Sequence, residues 1–426
     1  MPILRASWIP GVLVAAFLTA CGGSSHDTTT TTTGGGGGAG TTTATTTTTT
    51  TTSTFTPATH PALPQVVKLS GSVLAAPTVQ PIAYGDDANL SDMEAFLQEL
   101  TKTSYWGEAT SQYGVGALTV LPTILQTGMA PATLTDVEIQ ADLAANTTGA
   151  SPIWGEASAT TIYLFLVPPQ TTESYVYDGV TSTGCTDYDG YHDETTVGST
   201  TIAYAVGCAC PGFDGKGVTD LQERTVAVSH ELIESATDPF SQSKPAWRQE
   251  DNADIVWTIM AGGEVADMCQ YNSDSYDVPP GSTYMIQRSW SNMAAKAGTN
   301  PCVPVPTTAP YFNSVPSLPD MLTVSGFGAA PGVKIPVGQK KTIDVDLFSE
   351  GPTTGPWSVV LYDGDFVNTG THYLNLSLDK TSGQNGDTLH LTIEVLKADT
   401  TYGVVPFILS STLNGQNNLW MGLVGQ

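Results

Sequence analysis

Val226-Ala227-Val228-Ser229-His230-Glu231-Leu232-Ile233-Glu234-Ser235-Ala236-Thr237-Asp238-Pro239 decides how this chain is read. The valines, Leu232 and Ile233 give a helix an apolar face, and Pro239 bars it from running much further. Upstream, Thr219 followed three residues later by Gln222 is a capping box that opens the same helix. Leu221, Val228 and Leu232 share the face expected to pack inward. His230 and Glu234 stand at i and i+4, so both leave one face of the helix a turn apart. Glu231 sits about 100° round from His230, within reach of anything held between the other two.

The order His-Glu-x-x-Glu is the metalloprotease helix pattern His-Glu-x-x-His with its second imidazole replaced by a carboxylate. A catalytic metal needs ligands on a rigid support, an open position and a base beside its water. On that chemistry His230 and Glu234 are expected to hold a divalent ion and Glu231 to act as general base. Zinc is the expected cofactor because His230 offers nitrogen, with calcium or another divalent ion as the alternative. His192 and His230 are the two histidines of the candidate catalytic region. The third ligand is therefore His192 or a carboxylate, and Glu264 is the expected one, with His192 and Asp267 as alternative ligands or supporting groups. Tyr191 is a candidate to stabilise the oxyanion of peptide hydrolysis. Glu231 and Glu234 share one helical turn, a poor way to flank a glycosidic bond, so a glycosidase ranks last.

The acidic balance, Lys+Arg 14 against Asp+Glu 40 for a net charge of -26, repels phosphate backbones and excludes nucleic acid as a partner. At the N-terminus Arg5 precedes an apolar run from Trp8 to Phe17, too short to span a bilayer. Leu18-Thr19-Ala20-Cys21 after it resembles a bacterial lipobox, which implies a lipoprotein signal peptide over 1–20 and lipidation of Cys21. Gly22 lacks the aspartate that marks inner-membrane retention, so the expected place is the outer membrane or cell surface, with the lipid as the only membrane contact. Residues 21–61, with their threonine runs and Gly34 to Gly38, are expected to form a disordered tether, His60 beside it being solvated.

At 426 residues the chain has room for two or three domains at about 150 residues each. An α+β domain, a sheet carrying the site helix, is expected over 62–306, with a zincin-like layout. Ser91 with Glu94 and Thr135 with Glu138 are capping boxes for two further helices. Thr78 to Tyr84, Ala159 to Val167 and Thr200 to Val206 read as strands, as does Ile255 to Ile259. Tyr284 to Met293 reads as strand and then short helix. Pro301, Pro304, Pro306 and Pro310 mark a boundary. From 307 to 426 the apolar period becomes two, as in Ile343, Val345, Leu347 and in Leu389, Leu391, Ile393, Val395, with turns such as Gln384-Asn385-Gly386-Asp387 between. That pattern predicts an all-β, Ig-like sandwich. It faintly resembles bacterial Ig-like modules of the BACON kind, which implies cell-wall or carbohydrate contact. His372 and His390, within it, read as structural.

Besides Cys21 the cysteines are Cys185, Cys208, Cys210, Cys269 and Cys302, an odd number for an exported protein. Cys269 is expected to pair with Cys302, and Cys185 with either Cys208 or Cys210.

Glu264 and Asp267 have a Glu-x-x-Asp spacing that resembles the third-ligand segment of thermolysin-like enzymes, one residue shorter. Taken together, Asp189-Gly190-Tyr191-His192, Ser229-His230-Glu231-Leu232 with Thr237-Asp238-Pro239, and Glu264-Val265-Ala266-Asp267-Met268-Cys269 resemble bacterial relatives of the phosphate-induced protein 1 / EXORDIUM family over about residues 75–303. The resemblance implies export; its plant members lack the His-Glu pair, while bacterial sequences with the pair look like zincin-type metallopeptidases. The expectation is a surface-anchored metallohydrolase acting on a peptide or protein. The alternative is a non-catalytic adhesin or binding lipoprotein with a structural or vestigial ion site.

Overall fold

The computed structural model describes residues 55–177, 179–213, 217–305 and 310–426. The expected signal peptide, the expected lipidation of Cys21 and the expected tether up to residue 54 lie outside them.

Thr161–Val167 is the centre of the first layer. Its alternating side chains are buried on both faces: Ile162, Leu164 and Leu166 join one apolar cluster, while Tyr163, Phe165 and Val167 join another. Thr78–Tyr84 pairs with it in parallel on one side and Thr200–Cys208 in parallel on the other. Thr119–Val120 and Ile124–Gln126 pair with Thr78–Tyr84, and Gly190–Val197 closes the opposite edge as the antiparallel strand.

Helix Asp136–Asn146 covers the face formed by Tyr163, Phe165, Tyr191 and Tyr204, and it opens with the expected Thr135–Glu138 capping box. The site helix, Asp220–Thr237, lies on the other face behind the predicted Thr219–Gln222 capping box. Every residue from Glu223 to Thr237 is buried. A helix packed on one face alone would leave half of them wet; the sheet lies on one side here, and Leu90–Leu100, Tyr105–Thr110 and Ile286–Gln287 enclose the rest. Leu221, expected inside, is half-buried.

Two local expectations fail for identifiable reasons. Ser91 does not cap Leu90–Leu100; Asn89 stands at that position without a side-chain cap, and its N–H donates instead to Asp87 Oδ1 at 3.0 Å. Ile255 to Ile259 is not a strand but leads into helix Val256–Ala261, all of it buried. A short apolar run carries no period that separates the two states, and here Asp251 decides by accepting from Ala253 N–H at 3.0 Å to start a helical turn. The Tyr284 to Met293 reading holds, as short strands followed by helix Asn292–Ala297.

The C-terminal part is a sandwich of two sheets. Phe312–Pro316, Lys340–Ser349, Thr388–Val395 and Leu374–Leu378 form one; Gly328–Lys334, Gln416–Gly425, Val404–Leu413 and Trp357–Asp363 are the main strands of the other. The period-two residues Val345, Leu347, Leu389, Leu391, Ile393 and Val395 all enter the core between them, around Trp357 and Phe407. The two parts are not separate cores: Trp257 and Met260 of the first share one apolar cluster with Tyr311, Ile408, Trp420 and Met421 of the second. The predicted end of the tether is also corrected. Asn385 accepts from Ala58 N–H and donates to Thr56 C=O, and the His60 ring stacks on Phe348 at 3.9 Å, so residues 56–60 lie against the sandwich.

Cys269–Cys302 and Cys185–Cys210 are disulfides, and Cys208 is a buried free thiol. Disulfides persist in oxidising compartments, which fits an extracytoplasmic protein. Among the described residues no helix is long and apolar enough to cross a membrane.

Candidate metal centre

Three separate segments deliver the acid and imidazole groups to one cleft. His192 comes from the edge strand, where it pairs with Ala205 and takes the face the site helix covers. His230, Glu231 and Glu234 come from the helix. Glu264 and Asp267 follow the Gly262-Gly263 turn, whose φ values of +94° and +83° suit glycine. A Cβ on Gly262 would lie 2.2 Å from Asp267 Oδ2, so the turn and the carboxylate are built around one another.

The facing atoms are close. His230 Nε2 lies 3.1 Å from Glu234 Oε2 and 3.6 Å from Asp267 Oδ1. His192 Nε2 lies 3.3 Å from Glu264 Oε2 and 3.6 Å from Glu234 Oε2. Ligands held at about 2.0–2.1 Å around a tetrahedral zinc are about 3.3–3.5 Å apart. The observed separations bracket that value, and 3.6 Å is too long for a good imidazole–carboxylate hydrogen bond. The residues present therefore fit a divalent ion.

Glu234 and Glu264 are each tied back by one oxygen and turned into the cleft by the other. Glu234 Oε1 accepts from the N–H of Ala266 at 3.1 Å and of Asp267 at 3.0 Å. Arg248 holds Glu264 Oε1 at 3.1 Å, and the N–H of Glu264 donates to Asp267 Oδ2 at 3.1 Å. Arg248 is itself anchored by Asp238 at 3.1 Å, just past the helix end. Burial and the charge of Glu264 raise the Asp238 carboxyl to about 8 against the pull of Arg248.

Gln287 decides which nitrogen of His230 is bare. Its Nε2 donates to Ala266 C=O at 2.9 Å, which turns its Oε1 to His230 Nδ1 at 3.0 Å. Nδ1 therefore carries a hydrogen, and Nε2 is the nitrogen facing the carboxylates. Burial disfavours the charged imidazole, but the charges of Glu234, Glu231 and Asp267 raise its pKa well above the usual range. The same contest at His192, burial against Glu264, Glu234 and Glu231, ends at about 9.

Of the sequence expectations, His230, Glu234, Glu264, His192 and Asp267 are brought together, and Glu231 lines the same cleft. Glu264 meets His192 rather than His230, and Asp267 stands at His230, so neither is merely a support for the other. Tyr191 also lines that cleft, but the oxyanion role expected of its hydroxyl is not supported. It is adjacent to His192 in a strand and points to the opposite face, where its hydroxyl lies 2.9 Å from Asp136 Oδ1 and 3.1 Å from Glu173 Oε1. Its oxygen is committed there and not to the carboxylate cluster. Sequence reasoning missed Gln287 and Arg248. No spacing marks them, because each reaches the site from a short strand remote in sequence.

No protein-family profile matches this chain, and no curated protein matches it. Among solved structures the surface layer protein SbsC, domains 1–6, is similar at 17% identity, covering 26% of this chain and 13% of that one, with a TM-score of 0.17. The chain thus corresponds to about an eighth of that protein's length, and overlap so slight carries no argument about fold or function.

Proposed function

We propose that this chain is an extracytoplasmic metal-dependent hydrolase of peptides, zincin-like in its helix-on-sheet layer, Ig-like in its C-terminal sandwich, and held at the cell surface through a lipid on Cys21. The observation that carries the reading is the convergence of His192, His230, Glu234, Glu264 and Asp267 beside Glu231 in one cleft. Two nitrogens with carboxylate oxygens suit zinc first among divalent ions. Such an ion polarises a peptide carbonyl and acidifies water.

The chain's own residues supply the rest. Glu231 lies against Gly190, where a Cβ would come within 2.9 Å of its Cγ. In that position its carboxylate accepts a proton from water as the water oxygen bonds to the carbonyl carbon. It then returns the proton to the departing amine as the C–N bond breaks. Gln287 and Arg248 keep the ligating atoms aimed inward.

The rival reading, a binding lipoprotein with a structural ion, draws on burial, since Glu234 is 2% and His230 7% exposed. Metal analysis with a peptide-library cleavage assay decides between them. Stoichiometric zinc, with cleavage abolished in Glu231→Gln, is the expected result. Metal without cleavage favours the binding protein, and no metal overturns the proposal.

A further inference from the structure

We propose that the cluster holds two adjacent divalent ions, one in the triad His192, Glu234 and Glu264 and the other in the triad His230, Glu234 and Asp267, with Glu234 Oε2 shared between them. This rests on the metal-dependent reading above and extends it from one ion to two.

The donors divide in this way by geometry. Within each triad the three donor atoms lie within 4.8 Å of one another, and Glu234 belongs to both. One triad has edges of 3.3 Å and 3.6 Å about His192 Nε2; the other has edges of 3.1 Å and 3.6 Å about His230 Nε2. Both imidazoles therefore present Nε2 to the same oxygen, and each has its own second carboxylate. Glu234 contributes Oε2 alone, because Oε1 is occupied by two backbone N–H groups. Glu264 contributes Oε2 alone because Arg248 holds Oε1. A single ion at about 2.1 Å from its ligands needs no such duplication. Two ions sharing a carboxylate oxygen do, and they sit about 3.5–4 Å apart in hydrolytic sites.

Glu231, Glu234, Glu264 and Asp267 gather around the two imidazoles in this cleft, with Arg248 shared between Glu264 and Asp238 at 3.1 Å from each. The mixed nitrogen and oxygen set suits zinc or manganese at either position.

The test uses the full chain loaded with ZnCl2 or, separately, MnCl2, then desalted. Metal content and native mass are measured on wild type, His192→Ala, His230→Ala and Glu234→Gln, with circular dichroism checking the fold of each. About two ions per wild-type chain are expected, about one in each histidine variant, and loss of both in Glu234→Gln. The manganese form should give the electron paramagnetic resonance spectrum of a spin-coupled pair. His192→Gln and His230→Gln replace either alanine variant that fails to fold. One ion per chain, lost in His230→Ala but kept in His192→Ala, overturns the two-ion proposal while the metal-dependent reading stands. Two ions giving isolated, uncoupled manganese signals, or a count unchanged by His192→Ala, also overturn it. No bound ion in wild type overturns both.

Discussion

Arg224 and Asp87 form an ion pair with no solvent exposure on either side chain, Nη2 to Oδ2 at 2.8 Å and Nη1 to Oδ1 at 3.1 Å. The pair joins the second turn of the site helix to the loop after Thr78–Tyr84, and Arg224 also donates to Val167 C=O at 3.3 Å. It therefore fixes where the helix begins relative to the sheet, and so where His230 lies relative to His192. Removing one partner of a buried pair leaves the other charge without compensation. Asp87→Ala is expected to cost about 3–5 kcal/mol, read as a lower urea midpoint at unchanged m-value. A loss below about 1 kcal/mol would refute the anchoring role.

Gln287 should act through His230. Replacing its amide with the shape-matched Gln287→Met leaves the Nδ1 hydrogen without its acceptor and the ring free to turn. Zinc affinity, measured by competition with a chromogenic chelator, should fall about 10–100-fold. Gln287→Glu keeps an acceptor and should retain more affinity than Gln287→Met. Equal affinities in all three forms would show that the imidazole is held by something else.

Gly190→Ala tests the placement of Glu231. The added methyl meets Glu231 Cγ at 2.9 Å and Val206 C=O at 3.0 Å, so the carboxylate has to move. General-base catalysis contributes about 10²–10⁴-fold, so peptide hydrolysis should drop at least about 10-fold with metal content unchanged. Full activity in this variant would remove Glu231 from the proposed chemistry.

Glu173 predicts a pH dependence away from the candidate metal site. Burial raises its carboxyl from 4.5 to about 7, although Tyr188 and Tyr191 donate to it and the nearby Asp136 adds to the rise. The folded state therefore binds the proton more tightly than the unfolded one. Its contribution to stability is fully present below about pH 4.5 and is lost as pH rises through about 7, an effect on the order of 3 kcal/mol. Glu173→Gln should show a flatter urea midpoint between those limits than wild type. Parallel curves for the two proteins would contradict the shift.

The site helix was legible in the sequence because every signal for it is local: a capping box at Thr219 and Gln222, an i, i+4 pair and a terminating proline. The sandwich strands were legible for the same reason, since period two over Thr388–Val395 already says which side chains face inward. Helix Val256–Ala261 was not, because a fully buried run has no polar face to reveal its period.

The sequence by itself determined which chemistry-bearing groups the chain owns: one imidazole and two acids on a rigid helix, with more acids and another imidazole elsewhere. Only the tertiary structure decided their partners. His192 and Tyr191 are neighbours in the chain, yet strand pleating sends one to the carboxylates and the other to the opposite side of the sheet. Glu264 and Asp267 are three residues apart, yet the Gly262-Gly263 turn and the grip of Arg248 hand them to different histidines. Contacts such as that of Gln287 with His230 join positions 57 residues apart, and no local pattern encodes them. They exist because burial demands a partner for every polar atom, and the fold determines which one is in reach.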